Sequence, residues 1–138
     1  MSEENLEIVR RVFDAVARRD TEGILALYDP TVEYRSSPGT FMSRIGPRRV
    51  YRGHHGLRAF NRELHEAFET IETTCDELID AGDRVVSKSR YWARGRGSGV
   101  EIDGPVQFGV WTFHEGRVVR TEWFATREEA LEAAGLSE

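Results

Sequence analysis

Apolar residues near the start of the chain recur at three- and four-residue steps: Leu6, Val9, Val12, Phe13 and Val16, with Arg10, Arg11, Arg18 and Arg19 on the polar side. That spacing lays one apolar stripe along a helix and predicts an amphipathic element from Glu4 to Arg18. A second, short helix runs to Tyr28. Asp20 or Thr21 caps it, Ile24, Leu25 and Leu27 supply its buried side, and Asp29-Pro30 ends it, because a residue before proline is pushed out of helical conformation. Thr31 to Ser36 reads as a strand. From His55 to Phe68 the stripe Leu57, Phe60, Leu64 and Phe68 predicts a third helix, with Arg58, Arg62 and Glu66 facing water. Ile71 to Asp80, the Ala81-Gly82-Asp83 turn and Arg84 to Arg94 then form a hairpin, and Gly95-Arg96-Gly97-Ser98-Gly99 bends the chain into a second strand pair.

That last pair, VQFGVWTF and VVRTEWFA joined through His114-Glu115-Gly116, carries large apolar residues in both parities. A sheet with one wet face would alternate, so both faces are expected to be covered, one by a core or pocket and the other by a second subunit. Thr126 caps a closing helix, TREEALEAA, that stops at Gly135. The predicted order is helix, helix, strand, helix, four antiparallel strands, helix. Helices on one side of a curved antiparallel sheet make an α+β half-cone with a cavity between the layers. The seventeen residues from Ser37 to Gly53, with Pro38, Gly39, Gly46 and Pro47, exceed the usual connection; they form either a functional lid or mouth, or plain surface irregularity.

A chain of 138 residues fits one domain, 1–138, with a real core. Charged residues make up 31%, hydrophobic ones 39%, and the net charge is -5: an ordinary soluble composition that predicts no nucleic-acid or membrane partner. Cys75 has no cysteine to pair with, and no apolar leader or membrane-length run is seen, so the cytoplasm is the expected location. His54 and His55 are adjacent and do not share a face, so no metal is expected. Gly95 to Gly99 joins two strands and opens no helix, which argues for a bend and against a nucleotide cofactor. Arg35, Arg44, Arg48, Arg49 and Arg52 concentrate positive charge near the long loop, either to draw an anionic ligand or to pair with nearby glutamates.

The order of elements, with EGILALYDPTVEY, the helix start YRGHHGLRAF, IDAGDRVV, GRGSG and FHEGRVV before REEALEAAGL, resembles the SnoaL-like group of the nuclear transport factor two-like (ketosteroid isomerase-like) superfamily over nearly the whole chain. The resemblance implies a cystatin-like α+β barrel: a cone-shaped antiparallel sheet packed on N-terminal helices. Its motifs are turn, cap and packing signals, so it opens a menu of chemistries and selects none. Ketosteroid isomerase uses an aspartate base, a first-helix tyrosine and a protonated aspartic acid. In this chain those positions fall at Tyr34, near Val12 and near Gly109, so that steroid isomerisation is not expected.

The same alignment, with two-residue strand periodicity, turns Ser87, Ser89, Tyr91, Gln107, Gly109, Trp111, Phe113, Val119, Thr121 and Trp123 inward. Val9, Val12, Val16, Phe60, Asn61, Leu64 and His65 face them from the helices. Such walls suit a flat, partly polar organic ligand; the alternative is a filled core with satisfied polar atoms. The ligand-binding candidates are Val12, Val16, Asn61, Ser87, Ser89, Tyr91, Gln107, Trp111, Thr121 and Trp123. His65, able to exchange a proton near neutrality, and Tyr34, able to donate to a carbonyl, are the catalytic candidates. His54 either touches ligand or belongs to the helix entry, and Glu33 and Glu122 lie on the opposite parity. That outer parity carries Trp92, Phe108, Val110, Val118 and Phe124 among Lys88, Arg90 and Arg120, too apolar to stay wet, so a homodimer through this face is expected. Three functions remain open: a cofactor-independent lyase, isomerase or hydrolase acting on a small hydrophobic or aromatic molecule; a ligand-binding protein without turnover; and a structural dimerisation module.

Overall fold

The computed structural model describes residues 2–44, 49–104 and 106–136. Helix α1 (Ser2–Ala17) turns through Arg18, Arg19 and Asp20 into α2 (Thr21–Leu27). Asp20 sets that start: its Oδ1 accepts the Gly23 N–H at 2.9 Å, satisfying one of the donors that a first helical turn leaves unpaired. Strand β1 (Tyr28–Ser36) follows with no linker. Asp29 and Pro30 fall where its register slips between Tyr28 and Glu33, a place that tolerates a missing N–H.

The stretch expected as one long loop is partly folded, with a 3-10 turn at Met42–Arg44 and a short strand β2 (Val50–Arg52). Of its punctuating residues, Gly46, Pro47 and Arg48 lie outside the described residues. Helix α3 (Gly53–Ala67) runs directly into β3 (Phe68–Asp80), then β4 (Arg84–Gly95), β5 (Glu101–Asp103), β6 (Gln107–His114), β7 (Arg117–Phe124) and α4 (Arg127–Ala133). Gly95 to Gly99 is the expected bend, closed by the Gly95 N–H on the Val100 carbonyl at 2.8 Å, but it delivers the chain to β5, a strand the sequence pattern did not announce. The β6–β7 turn places Glu115 and Gly116 at φ 51° and 79°, the left-handed pair that a two-residue hairpin turn requires.

The strands form one curved, unclosed sheet in the order β2-β1-β7-β6-β4-β3, with β5 beside β4. Every pairing is antiparallel except β1–β7, which is parallel and makes the sheet mixed. Val9, Val12 and Ala15 of α1 and Leu57 and Phe60 of α3 meet Val85, Tyr91, Trp111, Val118 and Trp123 of the sheet in one core. Val118 corrects the expected parity. A register shift between Thr112 and Phe113 exchanges inside for outside, so Val118 is fully buried and Val119, expected to face inward, is half-buried.

The helices are not confined to one side. Ala130 and Ala134 of the α4 segment pack on Val86, Phe108 and Val110, on the outer face of the sheet. Thr126 caps this helix by accepting the Glu129 N–H at 3.2 Å. Arg127 lies over the Phe108 ring at 5.4 Å and Arg94 over Trp92 at 5.6 Å, both within reach of the ring quadrupole. Of the outer-face residues on which a second subunit was expected, Phe108 and Val110 are packed under the chain's own helix, Val118 belongs to the inner core, and Trp92 and Phe124 remain partly exposed.

Candidate functional site

Between the two long helices and the sheet lies a cavity of about 50 Å³. Val12, Phe13 and Val16 come from α1, Leu57, Phe60, Asn61 and Leu64 from α3, and Ile24 from α2. Tyr28 and Tyr34 of β1, Ile71 of β3, Tyr91 of β4, Trp111 of β6 and Trp123 of β7 complete the wall with Met42 from the 3-10 turn. Aromatic rings dominate: Tyr34 lies 4.9 Å from Phe60, Trp111 and Trp123 meet edge to face at 5.7 Å, and Phe13 flanks Trp111 at 5.8 Å. Among the described lining residues the polar groups are one amide, three phenols and two indoles, with no carboxylate, ammonium or guanidinium.

Seven of the sequence candidates meet here: Val12, Val16, Tyr34, Asn61, Tyr91, Trp111 and Trp123. Ser87, Ser89, Gln107 and Thr121 are fully buried but lie behind the wall. Each small polar residue sits beneath an aromatic one. Ser87 Oγ accepts the Trp111 indole N–H at 2.9 Å, and Gln107 Oε1 accepts the Phe41 N–H at 3.1 Å. Thr121 neighbours the Tyr28 hydroxyl, and Ser89 and Gln107 neighbour that of Tyr91. Trp123 Nε1, Thr121 Oγ1, Ser89 Oγ and Gln107 Nε2 are buried without closing a hydrogen bond of normal geometry.

Burial dominates the acid–base character of the phenols. It pushes Tyr91 up to about 12, against weaker opposing hydrogen bonds from Thr73, Ser89 and Gln107, and it raises Tyr28 and Tyr34 as well. All three therefore stay protonated at neutral pH and act as donors, not bases.

His65 does not reach the cavity. At 3.6 residues per turn a residue four positions after Asn61 lies about 40° further round the helix, off the edge of the stripe made by Leu57, Phe60, Asn61 and Leu64. Its half-buried ring sits where desolvation first, then the charges of Arg19 and Arg96, hold its pKa below 6.5. His54 belongs to the helix entry, its Nε2 2.8 Å from the Tyr28 carbonyl oxygen. Glu33 pairs with Arg35 and Arg52, which settles two of the five arginines near the loop as ion-pair partners. Phe13, Ile24, Tyr28, Leu57, Ile71 and Met42 are wall residues outside the predicted site. Phe13 and Leu57 belong to the predicted helical stripes, while Met42 lies where no periodicity points. Among the described residues no three His, Cys, Asp or Glu side chains come together, and no helix is long and apolar enough to cross a membrane.

An aromatic-lined chamber roofed by two helices on a curved sheet defines the cone-shaped α+β class. The chain belongs to the SnoaL-like domain family, whose model matches residues 9–121. A comparison with curated proteins finds no match. Among solved structures, a nuclear transport factor two-like protein of unknown function from Burkholderia pseudomallei K96243 is 28% identical, with 94% of this chain and 95% of that chain covered and a TM-score of 0.78. TerC, co-crystallised with polyporic acid, is 24% identical over 96% of this chain and 98% of its own, with a TM-score of 0.77. A protein of ketosteroid isomerase-like fold from Catenulispora acidiphila DSM 44928, in complex with trimethylamine, is 15% identical over 94% and 93% of the two chains, with a TM-score of 0.72. The last two likenesses speak to fold alone.

Proposed function

We propose that this protein binds a compact, mostly apolar organic molecule inside the cone and orients it with neutral hydrogen-bond donors. One observation carries this reading: the buried aromatic chamber is edged by polar atoms, Trp123 Nε1 and Thr121 Oγ1 among them, that close no hydrogen bond of normal geometry and have only the Tyr34 and Tyr28 hydroxyls near them. An apolar core of the same volume would be cheaper without them, since each unpaired buried group costs about 1–3 kcal/mol. In this structure the chamber is small. About 50 Å³ is far below the roughly 300–1,000 Å³ of a ligand pocket, so binding requires part of the wall to withdraw.

Turnover is the second reading, favoured by the Tyr34 phenol beside the Trp123 indole, two donors suited to polarising a carbonyl. Chemistry of that kind is electrophilic activation: the described wall offers no carboxylate or imidazole base, the group steroid isomerisation needs to move its proton. The test uses Trp92→Phe protein, in which Trp111 and Trp123 report alone. A panel of indoles, naphthols and cyclic terpenoids should include a compound that saturably alters their emission and raises the melting temperature. Silence from every compound at millimolar concentration would end the binding reading.

A further inference from the structure

Four wall residues of the chamber, Phe13, Val16, Asn61 and Ile71, are half-buried, whereas the other described wall residues are buried. Phe13 and Val16 lie one turn apart on α1, Asn61 is on α3 and Ile71 on β3, so the chamber comes nearest to solvent where these three elements meet. Cations gather at that place. The Arg19 N–H donates to the Val16 carbonyl at 3.1 Å, and Arg19 Nη2 donates to the carbonyl of Glu69, just before Ile71, at 2.5 Å. His65 stands one turn beyond Asn61 on α3. Arg96 arrives from the bend after β4 and donates to the His65 carbonyl through Nε at 3.1 Å and Nη2 at 2.8 Å. Both guanidiniums hold carbonyl oxygens, and among the described residues neither pairs with a carboxylate. The charges that act on His65 are those of Arg19 and Arg96. Glu66, Glu69 and Glu72, on the same helix and strand, are exposed, and Asp20 accepts the Gly23 N–H and lies 3.8 Å from Arg18. In a chain of net charge -5, this mouth is a local reversal of sign.

We infer that this cationic rim receives the charged end of the ligand: a compact ring-bearing organic acid whose ring enters the chamber while its carboxylate stays at the mouth, facing Arg19 and Arg96. The inference rests on the reading that the cone takes a mostly apolar molecule, and it names which kind. The division between ring and carboxylate follows from the cost of burying charge. The described wall has no cation to pair with an ionised group, so a carboxylate taken inside would be heavily penalised or neutralised. At the rim it stays partly hydrated and gains two guanidiniums whose planar forks match it.

The probes are 1-naphthylacetate, 1-naphthylacetamide and 2-(1-naphthyl)ethylamine, which share a ring system and differ in the charge of the end group. Each is titrated by equilibrium dialysis into the wild type, Arg19→Gln, Arg19→Lys, Arg96→Gln, and Arg11→Gln as a lost cation elsewhere on α1. Wild type at low salt should bind the acid about tenfold tighter than the amide, with the amine weakest. That preference should shrink to about threefold or less in either rim glutamine variant, stay above threefold in Arg19→Lys, and be unchanged in Arg11→Gln. Raising sodium chloride from about 20 to 500 mM should erode it in the wild type. The chain as a whole repels an acid, so without the rim salt would strengthen binding; this arm decides if a glutamine variant does not melt cooperatively. Val16→Trp, or Val16→Phe if that variant does not fold, puts a ring across the mouth and should weaken acid and amide alike by about tenfold. Acid and amide bound within about twofold of each other by the wild type, or no binding of the acid, overturns the rim. So does a preference that Arg11→Gln removes as fully as Arg19→Gln, that Arg19→Lys loses as fully as Arg19→Gln, or that salt strengthens, and so does acid binding indifferent to a ring at position 16. Any of these results with a positive tryptophan panel leaves the cone reading standing; with a silent panel both fall.

Discussion

Gly109 is the position where the aromatic wall can be tested most sharply. A Cβ built there would sit 2.8 Å from Trp123 Cζ3, 2.9 Å from Ser87 Oγ and 2.9 Å from Trp111 Nε1. The last two atoms are hydrogen-bonded to each other at 2.9 Å, so a single methyl wedges against a buried bond and an indole ring at once. Overpacking a tight core costs about 1–3 kcal/mol. Parting the indole N–H from its acceptor, with both buried, costs about 1–3 kcal/mol more. Against this, alanine is better than glycine in a strand interior by about 0.5–1 kcal/mol. The loss wins, and Gly109→Ala should destabilise the protein by about 2–4 kcal/mol. Urea unfolding followed by tryptophan emission reads the effect as a lower midpoint with an unchanged slope. A stability within about 0.5 kcal/mol of wild type would show that the two indoles and Ser87 have slack, and the close-packed wall would have to be abandoned.

Three further outcomes follow from the geometry. Asp20→Ala removes the acceptor of the Gly23 N–H and should lower stability by about 1 kcal/mol; an unchanged urea midpoint would show that α2 starts without its cap. His65 binds its proton less well in the folded chain, with a pKa below 6.5, so its share of stability is complete above that pH and declines as pH falls beneath it, until the folded group also titrates. His65→Gln should flatten that part of the stability curve, and a His65 ring titrating at or above 6.5 by NMR refutes the assignment. Deleting the chain after Phe124 uncovers Val86, Phe108 and Val110 and should make the protein self-associate in sedimentation at tens of micromolar; a truncated chain that sediments as the full chain does would mean α4 covers nothing of consequence.

Much of the fold was legible because its elements obey a single period. The stripes of α1 and α3, the Asp20 and Thr126 caps, and the tight turn at Glu115-Gly116 are local signals, and each lies where the pattern placed it. What the pattern could not carry was long-range. The parallel pairing of β1 with β7 joins segments far apart in sequence, and no local period encodes it. Val118 and Val119 exchanged places because one register shift reverses parity, and a shift leaves no mark in a run where both faces are apolar. Part of the outer face, Phe108 and Val110, is covered by a helix the sequence itself predicted, a contact that no period within either element announces.

The wall of the site shows the same division. Period-two reasoning brought Tyr91, Trp111 and Trp123 inward, and helical spacing brought Val12, Val16 and Asn61 to meet them. His65 failed by an angle, since four residues overshoot a turn and carry the ring off the apolar stripe. Whether such walls enclose a pocket or a packed core cannot be read from them, because the residues that favour a ligand ring also favour one another. The question turns on Phe41 and Met42, in a stretch with no period to reveal which way they face. Both point in, and the cavity is small. Beside them Thr73, Ser89 and Gln107 gather on the Tyr91 hydroxyl, so the polar groups of this corner are engaged with one phenol while the rings of the chamber pack on one another.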